Sequence, residues 1–154
     1  MKLALIMCVV LCACKATGVL KKYEAAPGST YTIYNKTYPI NTLTIEGKFI
    51  NTYSDSNLIN GKIGVGNITW VFRKEPKGTK TYFIDTMPPI MNPAYVAIRY
   101  DFVVNNQPPI ISILSAPKIG ETVEVSRKNG KLTLISKGVT MTDGSLLSFN
   151  VTQK

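Results

Sequence analysis

The sequence contains no histidine, and its three cysteines, Cys8, Cys12 and Cys14, all lie close to the N-terminus. Histidine is the commonest catalytic base and the commonest metal ligand, so histidine-based triads and ordinary zinc sites are excluded. The nine acidic residues are scattered singly, without a tight cluster of carboxylates. We therefore predict that the protein is not an enzyme and has no catalytic residues, no metal site and no cofactor.

Long apolar runs are also lacking, and the one apolar run near the N-terminus is short. Lys2 precedes the run over residues 3–11, and the small residues Ala16, Thr17 and Gly18 follow it. This pattern is typical of a secretory signal peptide and too short for a membrane span. We predict a cleaved signal peptide over residues 1–18, with a cut after Ala16 as the other choice. The mature chain, residues 19–154, is then a single secreted, extracellular domain without cysteine, so packing and not disulfides must stabilise it.

An alternative interpretation of the same segment is a lipid anchor. Leu11-Cys12-Ala13-Cys14 resembles the cleavage box of bacterial lipoproteins, in which the last cysteine becomes a lipidated N-terminus. Cys14 would then hold the protein at a bacterial surface instead of releasing it.

After residue 18 the apolar residues alternate with polar ones, which is the period of a β-strand and not of a helix. The clearest run is residues 96–104, where Val96, Ile98, Tyr100 and Phe102 share one face. Similar runs occupy residues 30–35, 43–49, 68–73, 81–85, 110–115, 122–126, 132–136 and 146–152. We predict an all-β protein, an antiparallel β-sandwich or flattened barrel of about nine short strands.

Two dipeptides predict hairpins, and one glycine-rich segment invites a different interpretation. Asn129-Gly130 favours a type I′ turn, and we expect Asp143-Gly144 to act in the same way. The glycines over residues 61–66 lead into a strand and not a helix, so a phosphate-binding loop is not expected. A bend or bulge with a close backbone contact is the prediction there.

Basic residues gather at two predicted turns, and the net charge of the whole sequence is +9. These candidate anion-binding residues are Arg73, Lys74, Lys77 and Lys80 at one turn, and Arg127, Lys128 and Lys131 at the other. If both turns lie at the same end of the fold, they form one cationic patch for sulfate, phosphate or carboxylate groups. The expected partner is an anionic polysaccharide, an anionic membrane surface or an acidic protein. Nucleic acid is not expected, because neither turn carries the aromatic side chains that stack on bases.

Three Asn-X-Thr triplets make Asn35, Asn67 and Asn150 candidates for glycosylation in a secreted protein. Asn150 is the favoured one, because alternation places it opposite Leu147, Phe149 and Val151. Trp70 is predicted to lie in the core. Five tyrosines in the N-terminal third suggest either carbohydrate contacts or amphipathic sheet positions, of which we favour the second.

Part of the sequence resembles a known family. Gly61-Lys62-Ile63-Gly64, the strand over residues 67–74 and Lys77-Gly78 resemble the C-terminal signature of a small insect family named after a multiprotein-bridging-factor transcription coactivator. Residues 149–152 resemble the last strand of that family, whose pattern normally closes soon after the earlier strand, whereas this chain continues. The resemblance implies a non-enzymatic secreted β protein. A coactivator role, a remote alternative, would conflict with the signal peptide.

The leading hypothesis is a secreted β-sandwich that binds or coats, with its basic turns as the contact surface. The lipid-anchored bacterial surface protein is one alternative. A carbohydrate-active enzyme that uses paired carboxylates is another, from a different functional class.

Overall fold

The computed structural model describes residues 19–86 and 91–154, and the predicted signal peptide over residues 1–18 lies outside them. The described chain is all-β, as predicted. Its strands are β1 (Lys21–Glu24), β2 (Thr30–Ile33), β3 (Lys36–Pro39), β4 (Thr42–Glu46), β5 (Phe49–Ile59), β6 (Lys62–Phe72), β7 (Lys80–Asp85), β8 (Tyr95–Val103), β9 (Ile111–Leu114), β10 (Thr122–Lys128), β11 (Lys131–Thr140) and β12 (Leu146–Thr152). Within these residues, no helix has the length and apolar character needed to cross a membrane.

The strands form one curled sheet in the order β1-β4-β5-β6-β8-β7-β10-β11-β12-β2-β3, with β9 beside β8. Among the described strands, β7 and β8 pair parallel and every other pairing is antiparallel. The sheet curls so far that its first and last parts meet, since Ala25 bridges Gln153 and the Ala26 amide donates to Thr152 O at 2.7 Å. A second contact joins the two parts of the sheet, because the Tyr38 hydroxyl of β3 donates to Leu58 O of β5 at 2.9 Å.

The core lies on the inner face of the curled sheet. Val96, Ile98, Tyr100 and Phe102 of β8 are fully buried, which confirms the alternation seen in the sequence. Trp70 is also fully buried and meets Phe149 edge-on, with 5.1 Å between ring centroids. Each such large side chain contributes about 1.5–3 kcal/mol through burial, and packing of this kind stabilises the described residues, which contain no cysteine.

The described residues form twelve strands, three more than the nine predicted, and β5 is the longest of the three that the sequence did not predict. The sequence predicts no strand over residues 50–67, although β5 (Phe49–Ile59) covers ten of those residues. Its inward positions Thr52, Ser54 and Asn57 are polar yet buried, so the apolar alternation that marks a strand is missing. Short strands β1 and β3 were hidden for the same reason, since neither has a run of apolar residues.

Both predicted hairpins form, but only one has the predicted turn. Asn129 and Gly130 have φ angles of 52° and 77°, as a type I′ turn requires. In the other hairpin only Gly144 has a positive φ, 82°. Its amide donates to Met141 O at 2.9 Å, and the Met141 amide donates to Ser145 O at 2.9 Å. This is a three-residue loop closed by a glycine bulge, so the prediction of a two-residue turn at Asp143 was wrong.

The glycine-rich segment is part of strand β6, so its backbone continues as a strand beyond the turn at Asn60 and Gly61, but the ladder that it forms with β5 contains the predicted bulge. The ladder irregularity lies on the neighbouring strand, between Ser54 and Asn57 of β5. The predicted close backbone contact is present at Gly64, where a Cβ would overlap the carbonyl oxygen of Val103. A Cβ at Gly66 would overlap the side chains of Tyr31 and Asn57.

Candidate anion-binding site

The pairing of β7 with β10 brings the two basic turns to the same end of the molecule. Lys80 lies opposite Val125 in this antiparallel pair, so the residues before Lys80 run beside the residues after Val125. The Arg127 amide accordingly donates to Gly78 O at 3.0 Å. We call the surface formed by residues 73–80 and 127–131 the cationic end.

Arg127 ties the two turns together. Its Nε donates to Pro76 O at 2.9 Å, and its Nη2 lies 3.0 Å from Glu75 Oε1. The Arg127 side chain is only 22% exposed. Because its charge is already paired with Glu75, Arg127 acts as a tether between the turns and is less suited than its neighbours to contact a partner.

Arg73 and Lys80 extend the cationic end toward the start of β8. The Arg73 guanidinium donates to Met91 O, and Lys80 Nζ donates to Pro93 O at 3.0 Å. Lys80 Nζ also lies 5.0 Å from the ring centroid of Tyr82. Neither residue pairs with a carboxylate in these contacts, so the positive charges of Arg73 and Lys80 are not neutralised there. The same contacts hold the loop around residue 92 beside the two side chains.

Four lysines of the cationic end are free to reach outward: Lys74, Lys77, Lys128 and Lys131. All four are exposed, and none forms an ion pair with any carboxylate in the described chain. Glu75 is the one acidic residue within residues 73–80 and 127–131, and Arg127 engages it. The surface therefore carries a strong excess of positive charge.

Sequence reasoning missed one cation at this end. The Phe72 amide donates to Lys48 O at 3.0 Å, which places the turn between β4 and β5 beside the start of residues 73–80. Lys48 is exposed, with Nζ 5.3 Å from the ring centroid of Phe49. No local signal in the sequence marks Lys48, because its position depends on the pairing of β5 with β6.

The three candidate glycosylation sites lie in different settings. Asn35 is exposed at the tip of the turn between β2 and β3, with a φ of 58°. Asn150 is exposed, but its backbone lies in β12, between β11 and β2. Asn67 is half-buried in the middle of β6. Exposure thus favours Asn35 and Asn150 over Asn67.

Carboxylates do not gather into an obvious chemical site in the described chain. No group of three or more Asp and Glu side chains there is arranged to hold a metal ion. Asp101 is the most buried of them, at 3% exposure, and accepts a hydrogen bond from Ser112 Oγ at 2.7 Å. Arg99 Nε lies 2.8 Å from Asp101 Oδ2, an ion-pair distance at an angle unsuited to a hydrogen bond.

Comparison of the chain with protein-family models, with curated proteins and with solved structures finds no match. The resemblance to the insect family therefore stays a prediction.

Proposed function

We propose that the protein is a secreted, non-enzymatic binding protein whose cationic end contacts an anionic polysaccharide. The observation that carries this proposal is the convergence of both basic turns, fixed by Arg127, which leaves four exposed lysines on one surface. Secretion rests on the signal-peptide pattern of residues 1–18.

Lysine side chains on mobile stems suit a repeating polyanion better than a single precisely shaped anion. Each ammonium is a strongly hydrated point charge that follows the partner, whereas bidentate recognition of one phosphate or carboxylate needs a planar arginine fork. Of the two arginines of the cationic end, Arg127 uses its guanidinium on Pro76 O and Glu75, and Arg73 donates to Met91 O. Sulfate and carboxylate groups spaced along a polysaccharide match such a set of separate charges.

A heparin titration tests the proposal. Replacing Lys74, Lys77, Lys128 and Lys131 by Gln removes four exposed contacts of about 0.5 kcal/mol each, or about 2 kcal/mol in total. Heparin affinity should then fall roughly thirtyfold. Binding to the unchanged protein should also weaken steeply with added salt, since charges are screened within about 8 Å at physiological ionic strength. Arg127 is kept in this variant, because its loss would untie the turns.

The matched control replaces four other exposed lysines, Lys36, Lys62, Lys118 and Lys137, by Gln. This variant has the same net charge as the test variant but an intact cationic end, so it should keep most of the heparin affinity. An equal loss in both variants would mean that only net charge matters and that the cationic end merely keeps the protein soluble. If the protein bound vesicles of anionic lipid more tightly than heparin, the proposed partner would be a membrane surface and not a polysaccharide.

A further inference from the structure

A second polar surface lies on the outer face of the sheet, away from the cationic end. Strand register aligns outward side chains in two rows that cross neighbouring strands. One row is Glu24, Thr42, Tyr53, Asn67, Asp101 and Ser112, and the next is Lys22, Thr44, Asn51, Thr69 and Arg99. Nearly every side chain in both rows carries a hydrogen-bonding group.

Part of this surface is concave. One groove, of about 540 Å³, lies over β5, β6 and the end of β8, and a second, of about 390 Å³, lies over β1, β4 and β5. The two grooves share Tyr53, Asp55 and Val65, so they form one continuous channel. We call it the outer groove. It crosses five neighbouring strands, a span of about 19 Å at the usual spacing of about 4.8 Å between strands.

The irregularity in β5 shapes the rim of the outer groove. The strand register shifts between Ser54 and Asn57, and Ser56 takes a φ of 60° there. This bulge sets Asp55 and Ser56 at the rim, facing Asn105 and Asn106 on the loop after β8. Bulges that re-aim side chains are common beside binding sites.

The polar groups of the outer groove are available for a ligand. Asn67 Oδ1 is buried and has no hydrogen-bond partner among the described residues, which is costly unless something else satisfies it. Within the same residues, the Tyr53 hydroxyl and the Asp55 carboxylate make no side-chain hydrogen bond. Lys22 and Asp55 are the charged side chains of the lining, one of each sign.

We propose that the outer groove binds an uncharged oligosaccharide. Hydroxyl and amide side chains both donate and accept hydrogen bonds, as sugar hydroxyls do. The half-buried Tyr53 ring and the apolar Ile63, Val65 and Val103 offer contact to the C–H faces of sugar rings. The balanced charge of the lining gives no reason for an anionic or cationic ligand, and the length of the channel suits several linked sugar units.

This proposal is independent of the function assigned to the cationic end, and salt separates the two. Binding to the outer groove rests on hydrogen bonds and ring contacts, so it should barely change between low and high salt. Heparin binding should fall over the same range. Either binding proposal can therefore be overturned without affecting the other.

The probes are cellohexaose, chitohexaose and mannohexaose, titrated into the secreted protein and followed by NMR and calorimetry. At least one should bind, and Tyr53→Ala should weaken that binding by about tenfold, the order expected when a ring contact is lost. Asp55→Ala should weaken it as well. This variant should keep its fold, because the Asp55 side chain is exposed and the hydrogen bond to Asn41 Oδ1 comes from the Asp55 backbone amide, which alanine retains.

The matched controls are Tyr95→Ala and Glu124→Ala, which change a half-buried tyrosine and an exposed acid outside the groove. Both should bind the oligosaccharide as tightly as the unchanged protein. The proposal is overturned if none of the three oligosaccharides binds. It is equally overturned if one binds but Asp55→Ala and Tyr53→Ala lose no more affinity than their controls.

Discussion

Gly66 is a buried position of β6 that lies beside Tyr31 and Asn57. Asn57 Nδ2 donates to the Tyr31 hydroxyl, and Ser54 Oγ donates to Asn57 Oδ1 at 2.8 Å. These polar groups are buried, and burial raises the pKa of Tyr31 to about 12, so the hydroxyl stays protonated. The absence of a side chain at Gly66 makes room for this network under the sheet.

Gly66→Ala should therefore destabilise the protein by about 1–3 kcal/mol, the usual cost of overpacking a tight core. The control is Gly138→Ala, where the new Cβ would lie 2.9 Å from Leu146 Cδ1, at the end of an exposed and flexible side chain. Its cost should stay within about 0.5 kcal/mol. Urea unfolding measures both. In the Gly66→Ala background, Tyr31→Phe should cost less than it does alone, because it removes one of the overlapping atoms.

Equal losses for Gly66→Ala and Gly138→Ala would contradict this account of the core. Both glycines lie within strands and both variants add the same methyl group, so any difference in stability reports the atoms that the new methyl group meets.

At the scale of elements, the hairpin between β11 and β12 depends on Asp143. Asp143 Oδ1 accepts hydrogen bonds from the Ser145 amide at 2.9 Å and from Ser145 Oγ at 2.6 Å. Tyr34 Oη donates to Asp143 Oδ2 at 2.9 Å and links this hairpin to the one between β2 and β3. Partial burial acts to raise the pKa of Asp143, but the hydrogen bonds from Ser145 and Tyr34 outweigh it and hold the pKa below its ordinary value.

This lowered pKa predicts an acid-dependent contribution to stability. A carboxyl whose pKa is lower in the folded state stabilises the fold above its unfolded pKa, about 3.9, and loses that contribution as the pH falls through the lower folded value. Asp143→Asn should cost about 1 kcal/mol or less at pH 7, since the site is largely exposed and screened. The difference from the unchanged protein should shrink in strongly acidic solution.

Urea unfolding at neutral and acidic pH measures the effect, with Glu124→Gln as the control. Glu124 is exposed, and its side chain makes no hydrogen bond in the described chain, so this variant should differ little at either pH. A pH-independent loss in Asp143→Asn would show that the carboxylate charge plays no part in the turn.

For the molecule as a whole, residues 19–154 contain no cysteine, because all three cysteines lie within the predicted signal peptide. The mature protein isolated from secreting cells should therefore have the same melting temperature with and without dithiothreitol. Its intact mass should correspond to a start near Val19. A diacylglyceryl-modified Cys14 in the mass spectrum, or a large loss of stability with dithiothreitol, would favour the lipid-anchored alternative or a later cleavage site.

The sequence predicted the strands in which apolar alternation survives, such as β8 and β12, and the Asn129-Gly130 turn. These features are local, because strand period and left-handed backbone angles depend on neighbouring residues. It also marked the residues of the cationic end, but not that Arg127 joins Glu75 across 52 positions of sequence. That pairing, the polar strand β5, the close contact at Gly66 and the outer groove became visible only in the folded chain. Each depends on which strand lies beside which, and strand order and register are set by long-range packing that short sequence patterns do not encode.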